Sequence, residues 1–265
     1  MESEDLHRLL LTVHYDGSGF HGWQYQPDVR TVQGEVEAVL ERISGRRRAL
    51  LGSGRTDTGV HATGQVAAVD LPVRWTPHRL RRALNGLLGD DVWIESVRVV
   101  PAAFHPRFDA VMRSYRYRVG LAPRAASPFH RRWCWPLEEA LDRDRLDRAA
   151  AALRGEHSFR AFAKAGQEER GDRCTVHAAA WEPWSDLGLA FTITANRFLH
   201  HMVRYLVGTL VAVGAGRRPD ADVEALLRGA DPECVTSPPA PPQGLFLERV
   251  EYPDHAFEPR PPSHA

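Results

Sequence analysis

Apolar residues at helical spacing predict two helices in the first part of the chain. The first lies between Thr31, a good N-cap residue, and Gly45, a good C-cap residue. The second begins at Thr76, which is followed by a proline. Its predicted apolar stripe consists of Leu80, Leu84, Leu87 and Leu88.

Short apolar runs before, between and after these helices predict strands. The predicted strands are residues 9–14, 49–53, 65–71 and 92–100. Together with the helices they give the order β-α-β-β-α-β, which is the split ferredoxin-like arrangement.

The second part of the chain repeats this order of elements without repeating its residues. The predicted strands are 108–119, 174–181, 187–195 and 244–252, and the predicted helices are 144–153, 197–214 and 220–227. The pattern therefore predicts an α+β protein of two ferredoxin-like halves, residues 1–105 and residues 106–265.

Composition limits the class of protein. The chain has 265 residues, of which 43% are hydrophobic, so it can bury a substantial core. No apolar run approaches the roughly 18 residues that a membrane span needs. Three cysteines lie far apart and form no CxxC motif, which indicates neither a disulfide framework nor a zinc site. We expect a reduced, cytoplasmic protein that is not in a membrane.

The charge is balanced overall, but its distribution is unusual. The formal net charge is zero, and Lys164 is the one lysine among the cations. Arginine clusters occur at Arg46–Arg48, at Arg79 with Arg81 and Arg82, at Arg113 with Arg116 and Arg118, and at Arg131–Arg132. They are either solvated faces that reflect a compositional bias or, if the fold gathers them, a track for RNA phosphates.

The candidate chemistry lies in the glycine-rich stretch from Gly52 to Gln65, where Asp57 is the one acid. The stretch lacks the Lys and Ser/Thr that follow the last glycine of a Walker loop, and Asp57 stands where a dinucleotide fingerprint has its third glycine. An aspartate in such a loop is often only a turn former. This loop has more glycines than a turn needs, and it also contains an arginine. It is therefore typical of a loop that presents a carboxylate.

Four histidines raise the question of a metal site: His61, His105, His200 and His201. None forms an i, i+4 pair beside an acid, and no cysteine accompanies them. We expect His200 and His201, as neighbours, to lie on different faces of a helix. The spacing therefore predicts no metal site.

The order Arg-Thr-Asp-x-Gly-Val-His-Ala at residues 55–62 resembles the signature of the TruA family of tRNA pseudouridine synthases. Five further segments resemble the same family in the same order along the chain: residues 15–24, 104–108, 113–117, 196–204 and 240–245. Six motifs in series make the resemblance specific.

The resemblance implies a fold and an activity. It implies that the two halves join their sheets into one continuous mixed sheet, the pseudouridine synthase fold, with the active site in a central cleft. The implied enzyme isomerises uridine to pseudouridine at positions 38, 39 and 40 of the tRNA anticodon stem-loop. It acts as a homodimer. The isomerisation needs no electrons or outside atoms, so we expect no cofactor.

The resemblance also implies the site residues. Asp57 matches the nucleophile, Tyr115 matches the active-site tyrosine that stacks on the base, and Arg204 matches the arginine that pairs with the nucleophile. Arg55 matches an arginine that holds the flipped base out of its helix, and Leu245 matches a wall of the uracil pocket.

The residues alone leave alternatives for each role. Tyr117 shares a strand face with Tyr115, so spacing does not select between them. The alternative for Arg204 is a helix-surface arginine, for Arg55 a loop cation on a phosphate, and for Leu245 a core leucine. An unpaired Arg204 in an apolar helix would be costly, which favours a buried partner.

A different function is also compatible with the element order. Ferredoxin-like units bind RNA without catalysis, so a non-catalytic RNA-binding or tRNA-chaperone module on the same fold is the alternative. The segment around Trp23 is likewise either core or an RNA-facing loop.

Overall fold

A computed structural model describes residues 5–164, 171–229 and 234–258 of the chain. Its internal contacts divide the chain into two compact units. Unit one comprises Met1–Val111 with Leu247–Ala265, and unit two comprises Met112–Phe246. The two units are described separately below.

The described part of unit one forms an antiparallel sheet with two helices. Its strands are β1 (Leu6–Tyr15), β2 (Leu51–Gly52), β3 (His61–Pro72) and β4 (Val92–Val100), and its helices are α1 (Val32–Ser44) and α2 (Pro77–Asn85). Strand β1 lies between β4 and β3, and β2 pairs with β3. This is the predicted βαββαβ unit. The last strand of the chain, β10 (Leu245–Glu251), follows β3 in the sheet.

The helix ends in unit one follow the predicted caps. The Thr31 side chain accepts a hydrogen bond from the Gly34 amide, and Gly45 ends α1 at φ +76°. Helix α2 begins after Thr76, as predicted, but it ends at Asn85. The prediction that its apolar stripe includes Leu87 and Leu88 is therefore wrong. Both lie beyond the helix, and Leu87 is 38% exposed.

In its described residues, unit two has five strands of its own and three helices. The strands are β5 (Met112–Gly120), β6 (Trp135–Pro136), β7 (Gly155–Ser158), β8 (Arg173–Trp184) and β9 (Gly188–Ala195). The helices are α3 (Arg143–Ala151), α4 (Met202–Gly214) and α5 (Asp222–Arg228). The strand order is β5-β9-β8-β7, and β6 pairs in parallel with β5. The β8–β9 hairpin is confirmed.

Helix α4 forms the centre of the unit-two core. Almost all of its residues are buried. The prediction that it starts at residue 197 is wrong. The helix begins at Met202 because His201 has a positive φ of 63°, outside the helical region.

The predicted α+β class with a mixed sheet is confirmed. The division by contacts differs from the predicted halves, since it assigns the C-terminal strand largely to unit one. No helix among the described residues is long and apolar enough to cross a membrane.

Candidate functional site

Asp57 lies in the loop between β2 and β3 of unit one. Its side chain is half-buried, whereas Arg55 is exposed and Thr56 between them is buried. Because Arg55 and Asp57 belong to one short loop, the carboxylate and one guanidinium lie on the same surface feature. The loop thus carries one half-buried carboxylate and one exposed guanidinium.

The loop backbone is held against the segment that follows β1. The amide of Trp23 donates to the carbonyl of Thr56 at 3.1 Å, and the amide of Gly59 donates to the carbonyl of Phe20 at 3.3 Å. Gly22, at φ +88°, lies so close that a Cβ there would be 2.7 Å from the Thr56 carbonyl oxygen. The backbone on both sides of Asp57 is therefore fixed.

A buried polar network supports the base of the loop. Gln65 on β3 is 0% exposed. Its Oε1 accepts from Ser53 Oγ at 2.8 Å, and its Nε2 donates to the Gly54 carbonyl at 3.1 Å. Tyr15 Oη and Thr56 Oγ1 lie 2.7 Å apart in a buried hydrogen bond. These partners satisfy groups that would be costly to leave unpaired away from water.

His61, the first residue of β3, is completely buried. Its Nδ1 accepts a hydrogen bond from the Gly17 amide at 3.0 Å and lies 3.2 Å from an oxygen of Asp16. A Cβ on Gly17 would be 2.1 Å from the carbonyl oxygen of Val60, so only glycine permits this approach. His61 thus joins the turn after β1 to the end of the Asp57 loop.

Trp23 belongs to the core. It is 1% exposed, and a Cβ on Gly52 would be 2.5 Å from its indole nitrogen. Of the two alternatives that the sequence leaves open, the Trp23 ring takes the core position, because the glycine of β2 lets it pack under the loop.

The two tyrosines of β5 have different surroundings in unit two. Tyr117 is 0% exposed, and its hydroxyl donates to the Pro241 carbonyl at 2.7 Å. Burial raises the pKa of Tyr117 well above 10. Tyr115 is half-buried and meets Phe198 edge to face, with ring centroids 4.9 Å apart. Tyr117 is the core tyrosine, so Tyr115 is the one with surface to offer a ligand.

Arg204 lies in the first turn of α4 and is half-buried. Its Nε donates to the Ala240 carbonyl at 2.8 Å, and the Ala240 amide donates to the Arg204 carbonyl at 2.9 Å. Leu245 lies five residues after Ala240 and is 5% exposed. This exposure is compatible with a core leucine as well as with a pocket wall. The hydrogen bonds of Arg204 and Tyr117 together hold residues 240–241 against α4 and β5.

His200 and His201 do not lie on different faces of a helix, as their adjacency suggested. Both precede α4, and their ring centroids are 4.2 Å apart. The positive φ of His201 turns the chain and brings the rings together. The amide of Lys164 donates to the His200 carbonyl at 3.1 Å and holds this turn.

The arginine clusters divide into two kinds. The cluster on β5 is engaged within unit two: Arg113 donates to the Asn196 carbonyl at 3.0 Å, and the guanidinium of Arg118 lies over the Phe246 ring at 4.3 Å. The arginines at 79, 81, 82, 131 and 132 are exposed. Several of these stack on aromatic rings, as Arg79 does on Trp75 at 4.8 Å.

The structure places Asp57 and Arg55 in one loop of unit one, and it places Tyr115, Arg204 and Leu245 in unit two. Tyr15, Thr56 and Gln65 support the loop, and the sequence pattern did not predict this role for them. One signal could have revealed Gln65. It is a polar residue that directly precedes the apolar run Val66–Val69 of the predicted strand, where a buried amide needs specific partners.

A family model described as tRNA pseudouridine synthase matches residues 11–109 and 149–253. These ranges contain four of the predicted site residues, whereas Tyr115 lies between them.

Curated relatives match nearly the whole chain. The tRNA pseudouridine synthase A of Moorella thermoacetica is 41% identical over 247 residues, covering 92% of this chain and 99% of that protein. The protein of the same name from Geobacter sp. (strain M21) is 39% identical and covers 94% and 100%. The one from Myxococcus xanthus is 40% identical and covers 93% and 92%.

Proposed function

This chain belongs to the tRNA pseudouridine synthase family, and we propose that it isomerises uridine at positions 38, 39 and 40 of the tRNA anticodon stem-loop with Asp57 as nucleophile. An enzyme of this family makes pseudouridine, so it is an isomerase that acts on tRNA. The target positions and the residue roles are the proposal.

The reaction moves one bond and one proton. The glycosidic bond between ribose C1′ and uracil N1 breaks, the base turns over, and C5 bonds to C1′. The C5 proton leaves, and N1 gains a proton, so atoms balance without an oxidant or an energy donor. The enzyme must supply a nucleophile, a proton acceptor and a pocket that retains the loose base.

The observation that carries the proposal is the fixed presentation of Asp57. It is the one acid between Gly52 and Gln65, it is half-buried, and its backbone is held on both sides by the Trp23 and Gly59 hydrogen bonds. A nucleophile needs this placement, because attack requires a defined approach to the reacting carbon. Uracil C6 and ribose C1′ are both open as the carbon attacked.

The other site residues have complementary roles in the proposal. Tyr115, with its partly open ring, stacks on the flipped uracil, and its hydroxyl helps to remove the C5 proton. Arg204 keeps the nucleophile ionised as water is displaced. Arg55, exposed in the Asp57 loop, fills the place of the extruded base. Leu245 walls the pocket against the uracil face.

We propose a cytoplasmic homodimer that binds one tRNA across both subunits. The support is the balanced charge of the chain combined with separate exposed arginine clusters. One copy offers only short basic patches, whereas two copies share the contacts to the phosphates. Sedimentation with and without tRNA tests the stoichiometry, and a 1:1 complex of monomers would contradict it.

The nucleophile is tested by Asp57→Asn and Asp57→Ala. Tritium release from C5-labelled uridine in tRNA should fall by several orders of magnitude, as removal of a nucleophile does elsewhere. Asp70→Asn is the matched control, since Asp70 is a carboxylate of the same unit that pairs with Arg8 at 2.7 Å. Substantial turnover by Asp57→Asn would remove the residue from the role.

The target positions require a separate measurement. Pseudouridines are mapped in tRNA from cells with and without the protein, and we expect those at positions 38, 39 and 40 to disappear with it. If the wild-type protein binds tRNA but leaves it chemically unchanged, the non-catalytic RNA-binding alternative is supported instead.

A further inference from the structure

We propose that Tyr15 and Gln65 are positioning residues that set the orientation of the Asp57 carboxylate through the residues just before it. The inference rests on the proposed role of Asp57. It concerns how unit one holds that side chain.

The contact to Thr56 is the first support. Thr56 directly precedes Asp57 and is buried. Its side-chain oxygen is 2.7 Å from the Tyr15 hydroxyl, and its carbonyl accepts from the Trp23 amide at 3.1 Å. Both the side chain and the backbone of Thr56 are therefore fixed, and this sets the direction in which the next Cα–Cβ bond points.

The second support is the side-chain amide of Gln65. It accepts from Ser53 Oγ at 2.8 Å and from the Val66 amide at 3.1 Å. It donates to the Gly54 carbonyl at 3.1 Å and to the Tyr15 oxygen at 3.5 Å. One buried amide thus connects the start of the loop to Tyr15.

These contacts join three side chains into one network. Gln65 Nε2 donates to the Tyr15 oxygen, and that oxygen shares a hydrogen bond with Thr56 Oγ1 in which either atom can be the donor. Such a network in a buried site strengthens each bond and favours a single arrangement.

The functional consequence follows from the sensitivity of attack to geometry. Asp57 has only two side-chain torsions, so its carboxylate position depends mainly on the backbone that precedes it. Losing the Tyr15 contact frees the Thr56 side chain while leaving the packing of the Tyr15 ring against Trp23, whose centroid is 6.0 Å away. The expected defect is in the chemical step and not in tRNA binding.

The test uses variants that remove one hydroxyl each. Tyr15→Phe and Thr56→Val should each lower the single-turnover rate of tritium release by roughly 10- to 100-fold, as small misplacements of reacting groups do. The tRNA dissociation constant should stay within about threefold of the wild-type value. Thr56→Ser keeps the hydroxyl and should restore most of the rate.

Ser96→Ala is the matched control. Ser96 Oγ donates to Thr12 Oγ1 at 2.9 Å, a hydroxyl pair of the same unit between β4 and β1. We expect its single-turnover rate to equal that of the wild type.

The double variant Tyr15→Phe/Thr56→Val separates positioning from stability. The double variant removes both oxygens of the Tyr15–Thr56 hydrogen bond, and Gln65 Nε2 keeps its hydrogen bond to the Gly54 carbonyl. Thermal stability should therefore recover relative to the Thr56→Val variant. Positioning predicts that the rate stays as low as in the single variants. If the rate recovers together with stability, or if the single variants lose only tRNA affinity, the inference is overturned.

The outcome is distinguishable from a failure of the proposed nucleophile. If Asp57→Asn is inactive and Tyr15→Phe has the full rate, only the positioning role fails. If Asp57→Asn retains turnover, the nucleophile assignment fails whatever the Tyr15 variants do.

Discussion

The hydroxyl of Tyr117 donates a hydrogen bond to the carbonyl of Pro241 across 124 positions of sequence, at 2.7 Å. The ring is completely buried, and a Cβ on Gly244 would be 2.7 Å from it. Tyr117 therefore fixes the segment that leads to Leu245. This relationship and three others lead to testable predictions.

Tyr117→Phe should lower the free energy of unfolding by about 1 kcal/mol at pH 7, the usual net value of one hydrogen bond. Burial raises the folded pKa of Tyr117 well above the ordinary value of 10.0. The wild type is therefore fully stabilised by this group below pH 10, and it loses that stabilisation as the pH rises towards the raised pKa. Urea unfolding at pH 7 and above pH 10 should show the difference between wild type and variant shrinking.

Tyr252→Phe is the matched control for this prediction. The Tyr252 hydroxyl donates to the Pro106 carbonyl at 2.7 Å in unit one, but the side chain is only half-buried. A similar loss at pH 7 is expected, because the same kind of hydrogen bond is removed. A Tyr117→Phe variant as stable as the wild type at pH 7 would contradict the contribution of the Tyr117 hydrogen bond.

Gly22→Ala should lower both stability and turnover. Its φ of +88° disfavours any Cβ, and the added carbon would be 2.7 Å from the Thr56 carbonyl. Gly45→Ala also places alanine at positive φ, but with nothing within 4 Å. The Gly45 variant should lose about 1–2 kcal/mol of stability and keep the wild-type turnover. If the Gly22 and Gly45 variants have equal turnover, the alanine Cβ at position 22 does not displace the Asp57 loop, and this explanation is wrong.

The three thiols should react at different rates. Burial raises the pKa of both Cys134 and Cys174 to about 11, so at pH 8 these thiols are protonated and inaccessible. Cys234 is only partly buried. Titration with a chromogenic disulfide reagent should show one fast thiol in the native protein and three in denaturant. Cys234→Ser should abolish the fast phase, and a fast phase that persists would contradict this assignment.

Asp220 should contribute to stability at neutral pH and lose that contribution in acid. Its hydrogen bonds to Arg148, at 2.8 Å, and to Arg145, at 2.6 Å, lower the pKa of its carboxyl below 3.8. The contribution is present above the ordinary pKa and is lost as the pH falls through the lowered one. Asp220→Asn should therefore be less stable than the wild type at pH 7 and similar near pH 2. A constant difference across this range of thermal melts would show that the ion pairs are not responsible.

Local signals explain what the sequence predicted well. The ends of α1 follow from Thr31 and Gly45, because capping depends on neighbouring residues alone. The Asp57 loop was found for the same reason, since its glycines and its one acid are contiguous. Strand β4 was predicted to its exact residues, 92–100, from an apolar run.

The missed features depend on contacts that sequence spacing does not encode. The apolar pattern of α4 continues upstream of Met202, but the positive φ of His201 keeps the helix from starting before Met202. Strands β6 and β7 are too short to show alternation. The supports of the Asp57 loop come from Tyr15 and Gln65, and only the antiparallel register of β1 on β3 brings these two near each other.

The register of β1 on β3 has a consequence for biosynthesis. The supports of the Asp57 loop are supplied by residues on both flanks of it, at positions 15–23 and 61–65. A nascent chain emerging from the ribosome cannot assemble them until β3 has cleared the exit tunnel and paired with β1. With Asp57 as the proposed nucleophile, the loop reaches its active arrangement only after translation has passed the loop itself, because a chain arrested earlier lacks the supports from positions 61–65.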